Sequence, residues 1–180
     1  MGYYSGLIKR KFKDVVGSRY ETVQQEYHEF LPTEEELLPR EIKKILLPLD
    51  ISVEGITDEL CELIGIYEAD VSLMYITDAR IYGIIQDALS PQAGEDFRIK
   101  KEEYGAALMD RIETCLEPLG ARVHRRMFLG DKIEDVIKAM NDYDMIIIPK
   151  SYGSHDPTSR EVSPISMVLA QSVRLPTVVY

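Results

Sequence analysis

The sequence predicts an α/β protein: an open, mainly parallel five-stranded sheet with helices on both faces. Two aliphatic runs and the pattern between them predict it. Lys43-Lys-Ile-Leu-Leu-Pro-Leu-Asp50 and Met145-Ile-Ile-Ile-Pro149 are short, near-continuous apolar stretches, which read as central strands covered on both faces. Strand and helix patterns alternate from Ile42 onward. Strands joined by helical crossovers form a mainly parallel sheet with right-handed connections. Asp50 ends the first run, where open α/β sheets place their ligand crevice.

Each element has its own signal. The strand at 45–49 leads into a helix expected to be capped by Ser52, with Val53, Ile56, Leu60, Leu63, Ile64 and Tyr67 on one face. The strand 69–76 follows. Two helical pieces, 79–89 and 96–119, are separated at Ser90-Pro91 and Gly94, and Gly120 is a helix stop. The strand 122–129 ends at Gly130, and Asp131-x-x-Glu134 opens a helix to about Met140. After the strand 145–148 comes a polar loop from Pro149 to Glu161. Ser163-Pro164 is an N-cap followed by a first-turn proline, which starts a helix running to about Val173. The strand 177–180 closes the sequence.

Residues 1–41 form a separate helical extension in this reading. Apolar side chains recur every three or four residues from Tyr4 to Leu31, and Ser18-x-x-Glu21 and Thr33-x-x-Glu36 have the form of capping boxes. Charge is split along it. Lys9, Arg10, Lys11, Lys13 and Arg19 face only Asp14 within residues 1–20, whereas residues 21–41 carry glutamates against Arg40. The favoured expectation is that this arm packs on its own domain or on a dimer mate. The alternatives are contact with an acidic membrane or partner surface through Lys9–Lys13 and a disordered tail.

A net charge of −10 argues against nucleic acid as the main partner, because phosphate contacts need clustered cations. No apolar run approaches the roughly 18 residues of a membrane span, and no secretory apolar region follows Met1. The expected location is the cytoplasm. Cys61 and Cys115 lack metal-ligand spacing and read as buried, reduced core thiols. His28 and His124 have no partner at metal spacing, so no metal site is expected.

Residues 42–180 resemble the universal stress protein (UspA-like) family. Five aligned features carry the resemblance: Ile45-Leu-Leu-Pro-Leu-Asp-Ile-Ser52; Leu73-Met-Tyr-Ile-Thr-Asp78; Gly130-Asp-Lys-Ile-Glu-Asp-Val-Ile137; Asp144-Met-Ile-Ile-Ile148; and Leu175-Pro-Thr-Val-Val-Tyr180. The resemblance implies a Rossmann-like sheet in the order 3-2-1-4-5. It also implies a homodimer in which the last strand, here 176–180, pairs with its twin. Independently, an apolar edge there needs pairing or covering.

Some members of that family bind ATP between the first and fourth strands through Gly-x-x-Gly and a later Gly-Ser. Glycines let backbone N–H groups approach phosphate oxygens, and a helix N-terminus adds positive dipole. Carried over by position, the nucleotide-binding candidates are Pro48, Asp50, Ile76, Ile148, Lys150, Gly153 and Ser163. Asp50 would meet the ribose or adenine side, or else cap a neighbouring N–H group. Pro149 stands where the first glycine belongs, Tyr152 where the second does, and Ser163-Pro164 replaces Gly-Ser. Pro164 offers no backbone N–H. The loop Lys150, Ser151, Ser154, His155, Thr158, Ser159 and Arg160 is either a side-chain anion site or an ordinary solvated loop.

His155-Asp156 beside Ser151 and Ser154 does not establish a nucleophile with its base, so no catalytic residue is assigned. The expectation is a cytoplasmic regulatory or stress-response homodimer, not an enzyme, with weakened or absent ATP binding and no assured cofactor. The alternative holds ATP or another adenine nucleotide through Asp50 and the 149–164 loop. Slow ATP hydrolysis is a third reading, and it would need a metal–phosphate geometry. The protein partner is left open.

Overall fold

Five strands, Lys44–Leu49 (β1), Asp70–Asp78 (β2), Val123–Gly130 (β3), Met145–Ile148 (β4) and Thr177–Val179 (β5), form one sheet in the order β3-β2-β1-β4-β5 with every pairing parallel. The structure, a computed structural model, describes residues 41–154, 156 and 161–180. The helices expected within residues 1–40 lie outside them. The helices are Asp58–Ile66 (α1), Ala79–Ala88 (α2), Pro91–Leu116 (α3), Glu134–Ala139 (α4) and Pro164–Ser172 (α5). α1 packs with α3 and α4 with α5, the grouping that right-handed crossovers give a sheet of this order. The predicted fold class and strand order are those observed.

The core lies on the aliphatic runs that announced it. Ile45, Leu46, Leu47 and Leu49 of β1 and Ile146, Ile147 and Ile148 of β4 have no exposed surface. Each such side chain contributes about 1.5–3 kcal/mol by leaving water. Asp144 fixes the start of the β1–β4 pair, its Oδ2 accepting from the backbone N–H groups of Lys43 and Lys44 at 3.0 Å each. α3 crosses β2 closely at Gly105, where an added Cβ would stand 2.7 Å from the Tyr75 ring.

Three sequence expectations are corrected. Ser52 caps no helix: its hydroxyl donates to the Ser154 carbonyl at 2.6 Å, and α1 starts six residues later with Thr57 as its cap. The intervening loop is pinned by Tyr104, Arg111 and Tyr180, which donate to the carbonyls of Val53, Glu54 and Gly55. Tertiary hydrogen bonds thus win over local helical periodicity. Gly94 does not interrupt a helix. The break is confined to Leu89-Ser90, with Ser90 capping α3 and Pro91 in its first turn, which suits a residue without an N–H. Finally, Cys61 and Cys115 are not reduced thiols. They form a disulfide between α1 and α3, with Cα atoms 6.4 Å apart.

Candidate functional site

The strand order reverses direction between β1 and β4, which is where open α/β sheets form a crevice. Their pairing covers only Ile45–Met145 and Leu46–Ile146, whereas β1 stays paired with β2 as far as Leu49–Tyr75. Pro48 therefore sits in a central strand at no cost to a β4 ladder, because that ladder has already ended. Beyond it β1 and β4 diverge, and the chain fills the gap with Asp50, Tyr152 and Lys132.

Asp50 is wholly buried. Its Oδ1 accepts from Ser52 N–H at 2.9 Å, and its Oδ2 accepts from Gly153 N–H at 2.8 Å and from Lys132 Nζ at 2.6 Å. A buried carboxylate needs this degree of satisfaction, since an unpaired charge there would be very costly. Gly153 supplies its N–H from a left-handed conformation, φ +70, and a Cβ at that position would meet the Ile165 side chain at 2.5 Å. Only glycine fits both demands.

Tyr152 also has no exposed surface, and its hydroxyl donates to the Lys132 carbonyl at 3.1 Å. Burial first, and then the charge of Asp50, push its phenol well above the ordinary range. The loop is sewn to α5 by two buried serines. Ser163 donates to the Tyr152 carbonyl and accepts from Ser166 N–H at 3.0 Å, while Ser166 donates to the Pro149 carbonyl at 2.7 Å. The Lys150 side chain is exposed, and its backbone N–H donates to the Tyr180 carbonyl at 2.7 Å.

The structure thus brings Pro48, Asp50, Gly153 and Ser163 to one end of the sheet, with Ile76 and Ile148 buried at the ends of β2 and β4. Lys150 is carried there by its backbone with its amine turned to solvent. His155, Thr158, Ser159 and Arg160 lie outside the described residues. Sequence reasoning missed Lys132 and Ser166. Lys132 did leave a signal, being a cation two residues beyond Gly130 at the same sheet end as Asp50. Among the described residues no group of three or more His, Cys, Asp or Glu is set to hold a metal ion, and no helix is long and apolar enough to cross a membrane.

An α/β sheet with its crevice at the β1–β4 switch point defines the Rossmann-like class of nucleotide-type folds. Within that class the fold is that of the universal stress proteins, in line with the resemblance in the sequence. The chain is similar to the universal stress protein UspA from Lactobacillus plantarum (17% identity, 78% of this chain and 99% of that one, TM-score 0.62). It is similar to a universal stress family protein from Burkholderia pseudomallei (16% identity, 79% and 98%, TM-score 0.55). It is also similar to a universal stress family protein from Arabidopsis thaliana with AMP bound (12% identity, 76% and 90%, TM-score 0.50). No family model and no curated protein matches the sequence.

Proposed function

We propose that this chain is a regulatory, stress-response protein of the universal stress type, cytoplasmic and homodimeric, in which ATP binding is weakened or absent. Residues 42–180 are its domain and 1–41 an extension. One observation carries the reading: the Asp50 carboxylate is taken up by Lys132, Ser52 and Gly153, groups of the protein itself. The phosphate side agrees, because Pro149 and Pro164 have no N–H to give and the Ser163 hydroxyl is engaged within the loop. An intracellular disulfide such as Cys61–Cys115 suits a redox-sensing or thermophilic setting. A dimer through residues 176–180 is supported by the exposure of Val179 on an edge strand and of Met167 and Val168 on neighbouring α5. Sedimentation of the full chain tests this, and a monomer at all concentrations would refute it.

The second reading, an adenylate held by Asp50 and the 149–164 loop, draws on the AMP bound to the Arabidopsis neighbour. Slow ATP hydrolysis would be an extension of it. One experiment separates the two readings. The purified chain is denatured and assayed for released nucleotide, and ATP is titrated against thermal stability. Saturable binding adds about 2.7 kcal/mol at a hundredfold excess over Kd. No released nucleotide and no shift at millimolar ATP are expected; either one appearing favours the adenylate.

A further inference from the structure

β3 is the outermost strand of the sheet, and among the described residues its only partner strand is β2. Val71 N–H donates to the Arg122 carbonyl. By the alternation of a parallel ladder, Val123, Arg125, Met127 and Leu129 therefore turn their N–H and C=O groups outward. The strand contains no proline, and its one glycine, Gly130, is its last residue. An edge this long and regular is a template for another strand.

The side chains decide which strand the edge accepts. Arg122, His124 and Arg126 share one face by the period of two, and all three are exposed. Arg126 makes no hydrogen bond or ion pair through its side chain among the described residues. Arg122 reaches Asp70 at 2.8 Å through Nε alone, which leaves its two terminal nitrogens to donate elsewhere. Arg125, on the opposite face, is taken up by Asp110 and Glu113 of α3. Beside it Val123 and Met127 are half-buried and Leu129 is 38% exposed. The chain as a whole carries −10, so this basic edge is a local exception. Antiparallel pairing of two copies about His124 would set Arg122 against Arg126, and like charges placed opposite one another repel. The edge thus refuses its own kind and suits a strand of opposite charge. We propose that the β3 edge binds an extended acidic segment of a partner protein as a sixth strand. Its carboxylates fall opposite Arg122 and Arg126, and the apolar side chains alternating with them lie on Val123, Met127 and Leu129. None of these residues belongs to the crevice at β1 and β4, so the proposal stands apart from the nucleotide reading.

A fluorescein-labelled, amidated heptapeptide alternating glutamate with valine is titrated into the full chain by anisotropy and amide NMR. Saturable binding is expected, with slower amide exchange at Val123, Arg125, Met127 and Leu129 and little change at the residues between them. Arg126→Glu alters an exposed side chain without a partner, so it should melt like the parent chain yet bind the peptide several-fold more weakly. The His124→Glu/Arg126→Glu variant should lose about tenfold. A peptide N-methylated at alternate residues cannot complete the ladder and should not bind. Replacing its glutamates by lysine should weaken binding by at least about tenfold. Failure to saturate by about 1 mM peptide, or binding that N-methylation, lysine or Arg126→Glu leaves unchanged, overturns the proposal. So does tighter binding of a single-stranded oligothymidylate, or a dimer in sedimentation that Arg126→Glu dissolves.

Discussion

Lys132 Nζ lies 2.6 Å from Oδ2 of Asp50, a carboxylate with no exposed surface, and the pair joins the loop after β3 to the end of β1 across 82 residues of sequence. The carboxylate holds Gly153 N–H with the same oxygen. One buried charge therefore gathers three connections at the crevice. Removing Lys132 or Asp50 strands the other charge in the interior, which costs about 3–5 kcal/mol. Lys132→Met and Asp50→Asn should each lower the free energy of urea unfolding by an amount of that order. The double variant should recover part of the loss, because the isolated charge is gone. Strict additivity in that cycle would mean the pair is not coupled.

Gly153→Ala should destabilise by at least about 1 kcal/mol, the usual cost of a side chain in left-handed backbone. Its Cβ would also collide with Ile165, 2.5 Å away. If the loop shifts to relieve the collision, the bond from Gly153 N–H to Asp50 lengthens, and amide exchange at Gly153 should accelerate more than at Ile146 in the sheet. Unchanged stability together with unchanged exchange would contradict the geometry.

Cys61 and Cys115 close a loop of 54 residues in sequence separation. The chain-entropy account gives such a cross-link about 4 kcal/mol. A reductant should lower the midpoint of denaturant unfolding, and the Cys61→Ala/Cys115→Ala variant should match the reduced parent while losing its own response to reductant. Thiol labelling of the unfolded chain without reductant should find no free cysteine. Two labelled thiols would remove the disulfide from this account.

The sheet was legible because its central strands advertise themselves. Ile45–Leu49 and Met145–Ile148 are too apolar and too short to be anything but doubly covered strands, and Ser163-Pro164 has one natural use. Ser52 and Thr57 show the limit. Ser52 is the expected cap, yet it donates to the Ser154 carbonyl, far along the chain, and the helix starts only after Thr57. The site was half legible on the same grounds. Asp50 was visible from its place at a strand end, but its partner Lys132 was not, since nothing local ties residues so far apart. The pairing of Cys61 with Cys115 is equally non-local. Two helical patterns each containing one cysteine do not reveal that the helices pack side by side.

The response to pH should be asymmetric, with different groups acting at each end. Asp131 is held below its ordinary value, first by the N–H groups of Glu134 and Ile133, which it accepts at 2.9 Å each, and then by Arg80 at 3.1 Å. A depressed carboxylate contributes stability that is present above the unfolded value of about 4 and is lost as the pH falls through the folded one. Asp131→Asn keeps an acceptor for both N–H groups and removes the charge, so it should flatten the acid limb without abolishing α4. At the alkaline end burial raises the phenols of Tyr75, Tyr152 and Tyr180, with the charge of Asp50 adding to the first two. Their contribution is complete below the unfolded value of about 10 and fades as the pH climbs toward the folded values. In a phenolate absorbance titration the Tyr75, Tyr152 and Tyr180 phenols should ionise only with the cooperative loss of helix signal. Tyr152→Phe should move that alkaline transition upward relative to its own neutral-pH stability, since one buried phenol no longer has to ionise. A single smooth titration of every tyrosine near pH 10, with the fold intact, would show that these rings are not enclosed as described.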